Sequence, residues 1–471
     1  MSFDEQDYVA ADATALAQAV AERRTDAATL LAIAQRRAQR LQPVLGALSH
    51  DAHDVHHAHD TDAPPDRLNP DAGGPFAGVP IVTKDLGAPL GGTPTFAGSR
   101  VLQRLNQPAP QDGALIAALR RAGFVPFAKT TVPEFGLNLS SEPACGAPSR
   151  NPWATARSSG GSSGGSAAAL AAGIVPIAHA TDAGGSIRIP AAACGVLGLK
   201  PGRGAIPRGP DYGNVFGTLA AEFVLTRSVR DARAVWQAIT GQTGDTGDTG
   251  AGKLTIAILL DAVQGVPVDG AWQQAATSAA SLLSAAGHRV VGVSTTQIES
   301  LRLASADATF AFETYACRSA AAMLALHPAA HELEPITWLA ARRGVTLDAL
   351  THQQAELGVA RATDLMTDFF TQIDVLLTPT LAESLPEIGV LRTDGDDLDA
   401  HFARFTRYAP FSALANAAGC PAIAVPHRMH DALPLSVQLM ARQGAEPVLL
   451  SLANVLEQQA PWPLVAPGFI P

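Results

Sequence analysis

Lysine is nearly absent from this chain. Of its 33 basic residues only Lys84, Lys129, Lys200 and Lys253 are lysines. Arginine keeps its proton inside a protein, whereas a lysine amine can lose one. Each surviving lysine is therefore a candidate for work that arginine cannot do. Cysteine is scarce as well: Cys145, Cys194, Cys317 and Cys420 lie far apart, with no CxxC pair. That spacing argues against a zinc site and a disulfide framework, and fits a reducing compartment. Aromatic residues make up 5% of the chain, so composition gives no sign of an aromatic-lined pocket. Basic blocks are missing and the net charge is −10, which argues against a nucleic-acid partner. No apolar run reaches membrane-spanning length, and the opening MSFDEQDYVAADATALAQAV has no apolar signal core. The expectation is a cytoplasmic protein without membrane contact, with a homodimer left open.

What is present is an alternation of helix and strand signals. DATALAQAVAERRTDAATLLAIAQRRAQRLQ has helical periodicity, with Asp12 or Thr14 as its cap. DGALIAALRRAG (112–123) reads as a helix with Asp112 as N-cap, and SAAALAAG (166–173) as a small-residue helix. GVPIVTK (78–84), FVPFAK (124–129), IVPIAHA (174–180), KLTIAILL (253–260), RVVGV (289–293), DVLLTPT (374–380), AIAVP (422–426) and LSVQLMA (435–441) read as strands. Such alternation predicts an α/β fold, a large mixed β-sheet covered by helices on both faces. One domain over 1–471 is expected: helices at about 8–60, a core at about 70–240, and a second half from about 253. The Gly/Thr/Asp-rich segment 240–252 between the halves reads as a surface loop.

Two glycine-rich motifs carry the chemistry. SSGGSSGGS (158–166) has the composition of a linker, yet it runs directly into a helix, where backbone N–H groups suit a negative charge. It lacks the Gly-Lys-Ser/Thr of a phosphate loop. GGSSG (160–164) matches a nucleophile elbow, but no convincing strand precedes it. DAGGSIR (182–188) follows a strand, and its glycine pair lets the backbone approach a substrate at Ser186. Successive N–H groups there suit an oxyanion, although a tight turn would use the same glycines. Alone, neither motif decides the matter.

Together, GVPIVTKDL, KTTVPEFG, NPW, GGSSGGSAAALAAG, TDAGGSIRIPAAACGVLGLKP and NAAGCPAIAVP resemble the amidase signature family, in the family's order, from about residue 8 to about residue 442. The resemblance implies hydrolysis of small-molecule amides by a Ser–Ser–Lys triad, without metal or organic cofactor. It implies Ser186 as nucleophile, Ser162 as the bridging serine and Lys84 as the base. It further implies oxyanion donors at Ala183, Gly184, Gly185 and Ser186, and a cis peptide bond at Ser162. KPGRGAIPRGP and LTRSVRD resemble amidases acting on free amides, the 6-aminohexanoate-cyclic-dimer hydrolase group among them, more than amidotransferase subunits. The competing expectations are the glutaminase subunit of a tRNA-dependent amidotransferase and a non-catalytic binding protein on the same fold.

The base role sets a physical requirement. At a pKa near 10.4, about one lysine in 2,500 is neutral at pH 7. Burial must lower that value, and Lys84 ends an apolar strand. Lys129 and Lys200 read as structural. Asp182 and Arg188 read as holding the oxyanion loop by hydrogen bonds. Cys317 reads as a buried small residue, with a pocket role left open. His53, His56, His57 and His59 form a histidine-rich stretch that surface helices often collect; no second cluster pairs with it, so no metal is expected.

Overall fold

The computed structural model describes residues 3–49, 73–207, 216–242 and 252–471. The histidine stretch and residues 243–251 of the Gly/Thr/Asp-rich segment lie outside the described residues. In chain order the strands are β1 (Pro80–Lys84), β2 (Val125–Thr130), β3 (Arg150–Asn151), β4 (Ala154–Ser158), β5 (Ile177–Asp182), β6 (Leu197–Lys200), β7 (Ala221–Thr226), β8 (Thr255–Ile258), β9 (Arg289–Gly292), β10 (Val375–Pro379), β11 (Ala422–His430) and β12 (Leu433–Ala441). Ten of them form one sheet in the order β2-β1-β5-β7-β6-β11-β12-β10-β8-β9. Its two ends are parallel, β2-β1-β5 and β10-β8-β9, and its centre is antiparallel. Every residue of β1, β2, β5, β6 and β7 is buried. A strand buried along its whole length is covered on both faces, and here Lys84, Lys129, Asp182, Lys200 and Glu222 are buried with their apolar neighbours. The mixed α/β sheet expected from the sequence is what is found.

Local chemistry explains several differences from the sequence-based expectations. The N-terminal helical stretch is two helices, Ala13–Ala21 and Ala27–Leu45, each capped by an aspartate: Asp12 accepts from Ala15 N–H and Asp26 from Thr29 N–H. Asp112 does not cap the next helix; Gly113 does, without a side-chain bond. The Asp112 carboxylate instead accepts from Gly91 N–H at 2.7 Å and pairs with Arg120 at 2.8 Å.

Two hydrophobic clusters organise the interior. The larger packs helices against the sheet. The second joins the helices Thr295–Ala322, Pro335–Thr346, Ala349–Phe369 and Leu398–Tyr408 to Phe135, Leu137 and Ala183. A Cβ on Gly344 would stand 2.0 Å from the Cys317 carbonyl oxygen, so glycine is what lets two of these helices touch by backbone. Cys317 is thus a buried packing residue at a helix contact.

Candidate active site

Lys84 closes β1, between β2 and β5, where the sheet gives its stem a dry slot. Its Nζ lies 2.7 Å from Ser162 Oγ and 2.7 Å from Thr181 Oγ1. Burial pulls its pKa down to about 7, against the opposing pull of the Asp182 and Glu222 carboxylates. An amine at that value is substantially neutral near pH 7 and can accept a proton. Behind it, Lys84 N–H donates to His179 Nδ1 at 3.2 Å, and His179 Nε2 lies 3.3 Å from Glu222 Oε2. With Nδ1 as acceptor, the ring proton sits on Nε2 and faces Glu222.

Ser162 is buried and follows a cis Gly161–Ser162 peptide bond. It leads into the helix Gly164–Ala171. Neighbouring backbone crowds it: a Cβ on Gly136 would meet Ser162 Oγ at 3.3 Å, and one on Gly161 would meet Asn138 O at 2.6 Å. A strand does precede GGSSG, but it is β4 of the small β3–β4 ribbon and not a strand of the main sheet.

Ser186 stands half-buried in the loop between β5 and the helix Arg188–Cys194. Its hydroxyl makes no hydrogen bond with another described side chain, whereas Lys84 and Ser162 are joined directly. Asp182 shapes the loop. Its carboxylate accepts from Gly185 N–H at 2.7 Å, Ile187 N–H at 3.1 Å, Asn416 Nδ2 at 2.9 Å, and Arg188 Nε and Nη2 at 3.0 Å each. Burial alone would raise this carboxyl; the Arg188 charge and these hydrogen bonds hold it well below the usual carboxylate range. Arg188 is itself fully buried and donates to Ser412 O, Gln438 Oε1 and Asn416 Oδ1. Asp182 and Arg188 hold the loop as the sequence suggests. The N–H of Gly185, one of the expected oxyanion donors, is donated to Asp182.

Three participants were missed by sequence reasoning. Thr181, the second oxygen on the Lys84 amine, looks like an ordinary strand residue. Asn416 and Gln438 lie more than 200 residues from the loop they brace. The asparagine of NAAGCPAIAVP was visible as part of a motif, but nothing local gives its role.

Beside the loop lies a small cleft lined by Gly184, Phe312, Phe402, Phe405, Glu313 and Gln264, among others. The Phe312 ring centroid is 5.2 Å from that of Phe405 and 6.5 Å from that of Phe402. A Cβ on Gly184 would be 2.8 Å from the Phe312 ring, so the ring rests on the loop. Overall aromatic content gave no sign of this grouping of Phe312, Phe402 and Phe405. Lys129 binds Thr95 Oγ1 at 2.9 Å and lies 3.5 Å from Asp85, and Lys200 donates to Pro201 O at 2.7 Å; neither reaches a serine of the site. Among the described residues, no group of three His, Cys, Asp or Glu could hold a metal ion.

The amidase family model matches residues 29–450. A Mycobacterium tuberculosis protein provisionally named amidase AmiC is 34% identical over 464 residues, 96% of this chain and 95% of that one. The 6-aminohexanoate-cyclic-dimer hydrolase of Paenarthrobacter ureafaciens is 32% identical over 83% of this chain and 85% of its own length. A solved structure of 6-aminohexanoate cyclic dimer hydrolase complexed with substrate superposes with a TM-score of 0.87, at 29% identity, over 98% of this chain and all of that one. With the site geometry and these likenesses together, the chain belongs to the amidase signature family of amide hydrolases.

Proposed function

We propose that this protein hydrolyses small-molecule carboxamides through an acyl-enzyme on Ser186, with Ser162 and Lys84 as its proton relay. The observation that carries the reading is the fully buried Lys84 amine 2.7 Å from Ser162 Oγ. Ser186 Oγ attacks the amide carbonyl; its proton passes to Ser162 Oγ as Ser162 gives its own to neutral Lys84. The carbonyl oxygen becomes an oxyanion, for which the N–H groups of Ala183, Gly184 and Ser186 are the candidate donors. As the C–N bond breaks, the Lys84 proton returns through Ser162 to the departing amine. Water then attacks the Ser186 ester, passes a proton to the relay, and the acid leaves as Ser186 recovers its proton.

The likeness to 6-aminohexanoate-cyclic-dimer hydrolase supports free amides as substrates. A fluorophosphonate label followed by peptide sequencing tests the nucleophile. The label is expected on Ser186; finding it on Ser162 or Ser163 overturns the assignment. A panel of linear, cyclic and aryl amides assayed with the purified single chain tests the reaction. Activity that requires a partner subunit would favour an amidotransferase role.

A further inference from the structure

The cleft beside Gly184 is chemically one-sided. Three phenylalanine rings, Phe312, Phe402 and Phe405, form its apolar wall. Its hydrogen-bonding groups include two acceptors in want of donors. Gln264 Nε2 donates to Pro410 O at 2.9 Å, which fixes the amide orientation. Its Oε1 is then buried with no donor among the described residues, and an unpaired buried acceptor costs about 1–3 kcal/mol. The second acceptor is the Glu313 carboxylate, which has no hydrogen bond or ion pair among the described residues. No lysine, arginine or histidine lines the cleft. Arg343, the base whose charge Glu313 feels, is bound to Asp399 at 2.7 Å. Burial is the main penalty on the Glu313 anion, and Asp399 adds its own negative charge.

Aromatic faces, a carboxylate and a bare carbonyl oxygen meet the needs of one kind of group. An ammonium is attracted by aromatic rings, carries up to three donors, and neutralises a desolvated carboxylate. An apolar group would leave both acceptors unpaired, and an anion would face like charge. We infer that this cleft is a substrate subsite for a primary ammonium group, so that the enzyme prefers amides carrying a protonated amine remote from the scissile carbonyl. The inference rests on the amidase reading, and Gly184 connects the two: it belongs to the loop that carries Ser186 and also lines the cleft. Glu313 is then the specificity-determining residue, with Gln264 as its neutral partner.

The test compares hexanamide, 6-hydroxyhexanamide and 6-aminohexanamide by kcat/KM at pH 8. For the wild type, the ammonium substrate is expected to exceed both others by about tenfold, the scale of one desolvated charge contact. In Glu313→Gln that ratio should fall to near one. In Glu313→Lys the preference should move to the carboxylate analogue, adipic acid monoamide. Each ratio is taken within one variant, so a general loss of activity cancels. A wild type that prefers hexanamide, or a ratio unchanged in Glu313→Gln, overturns the inference. If no amide is hydrolysed at all, the amidase reading fails separately. Calorimetric binding of n-hexylammonium then decides the subsite: about tenfold weaker binding to Glu313→Gln supports it, and equal binding overturns it.

Discussion

Two pockets in this molecule each hold a fully buried lysine at the end of a strand: Lys84 on β1 and Lys200 on β6. In both, burial brings the amine down to about 7. Their partners differ. Lys84 faces two hydroxyls, Ser162 Oγ and Thr181 Oγ1, while Lys200 donates to the Pro201 carbonyl. A carbonyl oxygen has no proton to give, so a neutral amine beside it has nothing to receive. Desolvation therefore makes a lysine able to act as a base, and the hydroxyl beside it decides whether it does. A perturbed pKa alone would nominate both residues; the hydrogen-bond geometry separates them.

The largest expected effect is on Lys84→Arg. Arginine keeps the charge but cannot accept from Ser162. The variant should lose about 10²–10⁴-fold in kcat/KM, the usual contribution of a general base. Lys200→Arg, if folded by its melting curve, should stay within about tenfold of wild type, well short of a lost base. Equal losses at the two positions would break the distinction between the pockets. The wild-type kcat/KM profile sharpens it further. The proposed relay requires neutral Lys84, so activity should fall as pH drops through about 7. An acid limb near the ordinary lysine value of 10.5 would mean that the amine is not desolvated.

The same contrast shows how much the sequence reveals. Lys84 and Ser162, which the structure brings together, were both named from motifs whose order and spacing are distinctive. The strands β1 and β2 were legible too, since both are buried along their whole length and are rich in apolar residues. What separates Lys84 from Lys200 was not legible. It depends on which side chain stands across the pocket, and Thr181 reaches Lys84 across a separation of 97 residues. That the Gly185 N–H turns to Asp182 was not legible either, because the motif gives the order of the N–H groups and not their directions. The aromatic cleft was hidden for a related reason: composition counts rings without placing them. Its residues Phe312, Phe402 and Phe405 come from two helices far apart in the chain.

A smaller effect is expected at Thr181. Its hydroxyl and that of Ser162 both lie 2.7 Å from the Lys84 amine. Thr181→Val keeps the β-branched shape that suits β5 and removes the hydroxyl. The amine then holds its position with one partner fewer. A hydrogen bond of this kind is worth about 1 kcal/mol net, so kcat/KM should fall by about fivefold. Most of the loss should appear in kcat, because the relay geometry, and not substrate affinity, is loosened. A loss as large as that of Lys84→Arg would make Thr181 part of the relay itself. No loss would mean that Ser162 alone positions the amine.

The last effect is on stability, and there the two lysines should behave alike. Each is protonated in the unfolded chain up to about 10.5 and in the folded protein only up to about 7. Between those values the unfolded state binds more protons, so stability rises with pH across the window. Below about 7 both states are protonated and the penalty is complete; above about 10.5 it is gone. Each lysine contributes at most about 1.4 kcal/mol per pH unit to that slope. Lys200→Met removes one of the two contributions, and so does Lys84→Met. The Pro201 carbonyl loses its donor in Lys200→Met, at a cost of about 1–3 kcal/mol that does not vary with pH. The slope, and not the absolute stability, is therefore the quantity to compare. Urea unfolding at pH 7, 8, 9 and 10 should give both methionine variants a shallower slope than wild type, by similar amounts. Only Lys84→Met should lose catalysis. Lines parallel to wild type in Lys200→Met would show that Lys200 stays charged in the fold. The two pockets would then differ in desolvation, and the hydroxyl partner would no longer be what distinguishes the base.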